Sequence, residues 1–476
     1  MNFYMKKTTL FLTLMFILLR GLASAQEAVK MSLDDAIKYA MANASSLKNA
    51  RANIADADLR VKESKAGGLP KVDADVSLQR FIQQPSVPAS ALGFGAPSAL
   101  QGFSDSILQV RLKNLEDKAQ IQRPNDRAPI PEDTKIAFQQ KNNFTGGITV
   151  SQLLFSGSYT VALRAARYYK DLVNVQLTKE EEMLRNRVID AYLPALSIDD
   201  AVKTFDKNLV NLEKLKSEVS ATYKAGFVEQ LDIDRLDFSI NNLKAQRDNL
   251  VRQRDLPINA LKLVINYPMD KPLELSDDIN SLLKPISEQE INAAIDFQKR
   301  SEIRELDATL KLTELNVELQ KASGLPTVAA FFNYQYAVQG NTFSNLFGVP
   351  SALLGVTAKY NIWDNHERKI KMERAMIDVE KLRTAKTDVE KAIIFQGTIA
   401  KIAINSAQKN IDAQQKNLNL AQKIYDVTKK KYQEGVGSSL ELISAERDIY
   451  AAQQTIRQAQ FDLLKAQMDL LKALGR

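Results

Sequence analysis

Residues able to carry covalent or metal chemistry are scarce in this chain. Its 476 residues include no cysteine and one histidine, His366. The missing thiols exclude a disulfide framework, a zinc-thiolate site, a cysteine nucleophile and an iron–sulfur cluster. A single imidazole excludes multi-histidine metal sites, and a Ser-His-Asp arrangement survives only if His366 serves it alone. His366 stands beside Trp363 and Asp364 at the start of a long glycine-poor segment, a setting for a membrane-interface side chain more than for a ligand. No nucleophile or metal motif appears, and no cofactor is expected. An enzyme would need a convergent pocket with perturbed acids.

What positions the remaining polar groups is a set of very long elements. The chain is 45% hydrophobic and 25% charged, with Gly 18 and Pro 14. Both turn-forming residues are below average usage. Length alone suggests about three domains, but so few turns argue for a few long helices. At the N-terminus, Lys6 and Lys7 precede an apolar run, Leu10 to Leu19, and Ala23-Ser24-Ala25 gives a small-x-small cleavage pattern. This reads as a secretory signal over residues 1–25, with no cysteine after it to carry a lipid anchor. Removing Lys6, Lys7 and Arg20 takes the net charge from +7 to +4, too little over this length to suggest nucleic acid.

The mature chain repeats itself once. Lys65-Ala66-Gly67-Gly68-Leu69-Pro70 matches Lys321-Ala322-Ser323-Gly324-Leu325-Pro326, and Tyr223-Lys224-Ala225-Gly226 matches Tyr432-Gln433-Glu434-Gly435. The offset changes between these landmarks, so the first half carries an insertion, Gln83–Asn142, rich in proline. The proline-containing stretch Tyr267 to Pro285 reads as the linker between halves. Each half then reads helix, strand, strand, long helix, turn, helix. In the first, Ser32 caps a helix running to Lys65, Ser158–Tyr223 is a long helix that Pro194 should kink or break, and a return helix covers Glu229 to Ile265. The second repeats this with Glu288–Lys321, Glu367–Tyr432 and Ser439–Leu474. A helix of 66 residues is about 100 Å long. One apolar seam is expected along Leu209, Leu212, Val219, Tyr223, Leu231, Leu236, Leu243 and Leu250, as in coiled coils.

Between the helices lie segments that alternate with period two. They are Val72–Gln79, Ile148–Ser151, Val328–Tyr336 and Val356–Ile362. Nine or ten residues suit a tilted transmembrane strand, and Tyr334, Tyr336, Tyr360 and Trp363 fall where an aromatic girdle would sit. Four strands cannot close a barrel, and an open edge cannot face lipid. Three copies would supply twelve strands.

The sequence resembles the TolC-like outer-membrane efflux proteins. The resemblance covers nearly the whole mature chain and rests on Leu33-Asp34-Asp35-Ala36, Gly68-Leu69-Pro70-Lys71-Val72, Gln152-Leu153-Leu154-Phe155-Ser156-Gly157 and the two turns, which continue into Leu231-Asp232 and Leu440-Glu441. It implies a mainly α homotrimer with a small transmembrane β part: a 12-stranded barrel in the outer membrane, continued by a periplasmic α-helical coiled-coil barrel. The implied partition is 26–71 N-terminal helices, 72–155 first hairpin with the 83–142 insertion outside the cell, 156–266 helices with a tip near 223–230, 267–288 linker, 289–325 helix, 326–363 second hairpin, and 364–476 helices with a tip near 432–439.

The resemblance also implies partners and sites. The partners are a periplasmic adaptor (membrane fusion) protein, an inner-membrane transporter of RND or ABC type, and outer-membrane lipid. The adaptor contacts would be Gly226, Phe227, Val228, Gly435, Val436 and Gly437. The gate would be Glu441, with Asp232 tethered to Tyr432. The family's next acidic position falls on uncharged Ser444, leaving one ring of carboxylates that would repel each other and attract cations. The implied function is the exit duct of a tripartite efflux pump carrying small molecules such as drugs. A type I protein secretion duct is the alternative, and a periplasmic coiled-coil structural or adaptor protein a more distant one.

Overall fold

The structure, a computed structural model, describes residues 29–88, 91, 135–137 and 139–475. The signal segment and most of the 83–142 insertion lie outside the described residues. The chain divides into two compact units, 65–160 with 322–365, and the remainder. The second is helical and the first is built around a sheet.

In the helical unit, helix α1 (Leu33–Asn43) starts where Ser32 caps it: Ser32 Oγ accepts from Asp35 N at 3.1 Å, and Asp35 Oδ2 accepts from Ser32 N at 3.3 Å. That reciprocal pair satisfies two otherwise unpaired donors. The single helix expected from Ser32 to Lys65 is instead broken at Ala44, whose ψ is 131°, and resumes as α2 (Ser45–Ala66). The break lets Ala44 and Leu47 join the core that already holds Ala36 and Ala40. Helix α3 (Gly157–Lys224) runs through Pro194, so of the kink or break expected there the break does not occur. Pro194 is exposed while Leu193, Ala195 and Leu196 are buried. Burial on both sides of the proline outweighs its missing hydrogen bond. Helix α4 is Gln230–Ile265.

The 267–288 segment is more than a linker. It carries β6 (Leu273–Leu275), which pairs in parallel with β1 (Val29–Met31). Asp277 Oδ2 then accepts from Leu33 N at 2.7 Å and from Tyr192 Oη at 3.0 Å. Tyr192 is fully buried, and burial pushes its hydroxyl well above the ordinary range. Three-residue strands carry too little alternation to be seen in a sequence. The helix expected over Glu288–Lys321 also begins late. A single turn, Glu288–Ile291, and a 3-10 turn, Phe297–Lys299, precede α5 (Ser301–Ala322). Ser287 and Asp296 cap these turns and so divert the backbone from one helix. Helices α6 (Glu367–Gln433) and α7 (Ser439–Ala473) complete the unit.

The seam between α3 and α4 holds Leu209, Leu212, Val219, Leu236 and Leu243 buried, and Leu442 and Ile443 of α7 join it. Tyr223 and Leu231, expected in the seam, are 40% and 50% exposed because they stand at the turn. Ion pairs border it, including Lys244–Glu213 at 3.0 Å and Arg254–Asp199 at 2.7 Å. One face of α6 is apolar and uncovered among the described residues: Phe395, Ile399 and Ile402, spaced four and three residues apart.

The sheet unit has order β2-β5-β7-β8, all antiparallel. Its strands are β2 (Lys71–Arg80), β5 (Asn142–Ser156), β7 (Thr327–Gly340) and β8 (Phe347–Lys359). The last three outrun the expected nine or ten residues. Strand β8 starts and ends earlier than the alternation over Val356–Ile362 suggests, leaving Tyr360 and Ile362 beyond it. The base of the insertion forms a short ribbon, β3 (Ser86–Pro88) with β4 (Lys135–Ala137). The repeat is visible in the elements. Helix α2 ends at Ala66 and α5 at Ala322, while α4 starts at Gln230 and α7 at Ser439.

Candidate functional site

Two features carry the functional reading, the helical tips and the faces of the sheet. At the first tip, Gly226 takes a φ of +81°. Its N–H donates to Tyr223 O at 2.8 Å, and Phe227 N donates to Thr222 O at 3.2 Å. At the second, Gly435 has a φ of +76°, with Gly435 N to Tyr432 O at 3.1 Å and Val436 N to Lys431 O at 3.0 Å. Both are the same left-handed helix closure, for which glycine is suited because it lacks a Cβ. Three residues after each glycine stands the N-cap of the next helix, Glu229 before α4 and Ser438 before α7. Ser438 Oγ accepts from Glu441 N at 3.2 Å.

These two turns present Phe227 (82% exposed) and Val436 (75%) to solvent. Val228 instead packs against the seam with Tyr432. Gly437 is small for a local reason: a Cβ there would stand 3.0 Å from Tyr432 N.

The polar groups at the tips pair differently from the expected tether. Asp232 does not bond Tyr432. Its Oδ1 accepts from Ser439 Oγ, and Ser439 Oγ in turn accepts from Arg235 at 3.1 Å. Arg235 also lies 3.8 Å from Asp232. This link joins the start of α4 to the start of α7. Tyr432 Oη is buried with no hydrogen-bond partner among the described residues, and burial followed by the nearby Asp232 charge raises its pKa. Glu441 and Ser444 are both exposed on α7.

Sequence reasoning overlooked Arg235, Ser439 and above all Glu446. Glu446 is 3% exposed, and burial pushes its carboxyl up to about 7. The signal was present: Glu446 interrupts the apolar stripe of α7, three residues after Ile443 and four before Tyr450.

The register of the sheet sorts its residues into two faces. Across all four strands, one face carries the rows Val72–Val150–Phe332–Leu354, Ala74–Ile148–Tyr334–Ala352, Val76–Gly146–Tyr336–Pro350 and Leu78–Phe144–Val338–Gly348. Every member is apolar, aromatic or glycine. The other face carries Asp73–Thr149–Asn333–Leu353 and Asp75–Gly147–Gln335–Ser351. There Ser77 and Thr145 hydroxyls lie 2.6 Å apart, and Asn333 donates to Thr149 at 2.8 Å. Among the described residues nothing covers the apolar face: Val76, Leu354 and Val356 are 71%, 76% and 65% exposed. Strands β2 and β8 are open edges. Of the four aromatics expected at an interface, Tyr334 instead stands in the middle of β7. Tyr360 and Trp363 follow β8, at the end of the sheet where β2 and β7 begin.

A family model described as outer membrane efflux protein matches residues 297–476. No curated protein matches the chain. Among solved structures, CusC, whose conformational changes accompany folding and transmembrane channel formation, superposes with a TM-score of 0.66 at 17% identity, over 94% of this chain and 92% of that one. The outer membrane protein VceC of Vibrio cholerae gives 0.63 at 14%, over 93% and 96%. The open-state MtrE outer membrane channel of Neisseria gonorrhoeae gives 0.65 at 18%, over 93% and 88%. Residues 297–476 thus match the outer membrane efflux protein family model, and the described chain as a whole has the fold shared by CusC, VceC and MtrE.

Proposed function

We propose that this protein is the outer-membrane exit duct of a tripartite efflux pump, working as a homotrimer that passes small molecules such as drugs outward. The observation that carries the reading is the two-faced sheet. An apolar face this large is tolerated where lipid covers it, and a polar face where water fills a lumen. Two open edges cannot persist in lipid, so neighbouring copies must pair them, and three copies give twelve strands. The uncovered stripe Phe395, Ile399 and Ile402 on α6 supplies an apolar surface for a second copy in the helical part. The tips at Phe227 and Val436 would meet a periplasmic adaptor, which in turn holds an RND or ABC transporter. The 83–142 insertion would lie outside the cell.

The test is purification from membranes in detergent, followed by planar-bilayer recording. The reading expects a trimer that dissociates on heating and conducts ions, and a deletion strain that accumulates efflux substrates. A monomer soluble without detergent would reject it.

A further inference from the structure

Helices α3, α4 and α7 line a cavity of about 430 Å³ that opens to solvent beside Phe238, 67% exposed, a volume within the range of small-molecule pockets. Its apolar walls are Phe205, Phe238 and Ile443, and its polar walls include Asn242 and Gln246. Into this lining the chain places Glu446, 97% removed from solvent by its 3% exposure. Tyr450 Oη donates to Glu446 Oε1 at 2.7 Å, but Glu446 Oε2 has no hydrogen-bond partner among the described residues. A buried carboxylate oxygen left alone is costly, and a proton, a hydrogen-bond donor or a cation relieves it, the cation most strongly.

The cation that acts on it, Lys429 of α6, does so through its charge alone while paired with Glu218. On α7, Arg447 is exposed at the rim. On α6, Lys429 reaches toward Glu218 of α3 at 3.6 Å, and Tyr425 is uncharged. On α4, the cavity is faced by Phe238, Ser239, Asn242, Leu243 and Gln246, none charged. The tyrosine's single proton is shared between Oε1 at 2.7 Å and the Asn208 carbonyl at 3.4 Å, and none reaches Oε2. We propose that this cavity binds a small organic cation, a primary amine with an apolar body, with Glu446 as counter-charge and the aromatic walls taking the body. The inference rests on the helical unit alone and does not depend on the channel reading.

The probe is 2-phenylethylamine, with 2-phenylethanol as uncharged control, titrated by calorimetry into the full-length protein in detergent at pH 8. The amine should bind at least ten-fold tighter than the alcohol. Lowering the pH from 8 to 6 should weaken it, because protons compete for the same carboxylate as its charge is lost through about 7. Glu446→Gln keeps shape and should lose the preference for the amine, while Asp448→Asn, an exposed carboxylate on the same helix, should keep it. Asn242→Phe, at an exposed lining position, should obstruct the cavity with Glu446 intact and abolish binding. Failure of the wild-type protein to bind the amine, equal binding of the alcohol, or unchanged binding in Glu446→Gln would overturn the proposal.

Discussion

Two glutamates five residues apart on one helix show how differently the same carboxyl can be set. Glu441 is exposed, one turn inside the second tip, and three copies around an axis would form a ring of charge. Replacing Glu441 with alanine should raise single-channel conductance or reduce cation preference in planar bilayers; unchanged behaviour would remove it from the gate. Glu446 is buried, and its carboxyl is pushed up by desolvation, against the opposing effects of Tyr450 and Lys429, from 4.5 to about 7. The sign follows directly. The folded state prefers the protonated acid, so its contribution is complete below about 4.5 and is lost as pH rises through about 7. The difference is about 3 kcal/mol. Glu446→Gln, which cannot ionise, should therefore melt higher than the wild-type protein at pH 8 and close to it at pH 4.5, as followed by circular dichroism. Glu441 was legible because it sits at a fixed distance from a glycine turn. Glu446 could be seen only as an acid inside an apolar stripe. Asp232 was legible as a tip residue, but its partner was not: Ser439 and Tyr432 are equally plausible along the sequence, and only packing between α4 and α7 decides.

At the scale of elements, what the sequence made plain was what repeats over many residues. The long helices α3, α4, α6 and α7 fall within a few residues of their expected ends, because caps and glycines mark them on both sides. What it hid was interruption by tertiary contact: the break at Ala44, the continuity through Pro194, and the β1–β6 pair inside the supposed linker. In each of these, burial around Tyr192 overrides local preference. The tips are the opposite case, with local chemistry in control. Alanine at Gly226 or Gly435 forces a Cβ into the left-handed region and costs about 1 kcal/mol. Hydrogen exchange should show the last turns of α3 and α6 opening faster in these variants, with the middle of each helix unchanged. The paired variant Phe227→Asp with Val436→Asp changes only exposed side chains. It should leave the trimer intact by light scattering while abolishing co-purification of an adaptor and restoring drug sensitivity in cells. Retained co-purification would mean the tips are not the docking surface.

For the molecule as a whole, the decisive fact is that its sheet has two ends and one oily side. Period-two alternation marks both faces, but not which residues of distant segments share a row; that needs the register across four strands. Within one chain β2 and β8 are separated by β5 and β7, so three strand spacings, about 14 Å, lie between them. A disulfide needs Cα atoms within about 7 Å. A chain without cysteine lets this be tested cleanly. Val76→Cys on β2, combined in turn with cysteine at Ala352, Leu354 or Val356, the β8 positions on the same face, cannot close inside one copy. If copies share the wall, at least one combination must oxidise into covalent dimers and trimers on a non-reducing gel, and neither single variant of that pair should do so. The successful combination also reports the register between subunits, which the apolar rows restrict to even steps because an odd slip would turn every polar residue of the neighbour toward lipid. Should no combination link two copies in membranes, the edges are met by something other than this chain, and the trimeric barrel falls with them.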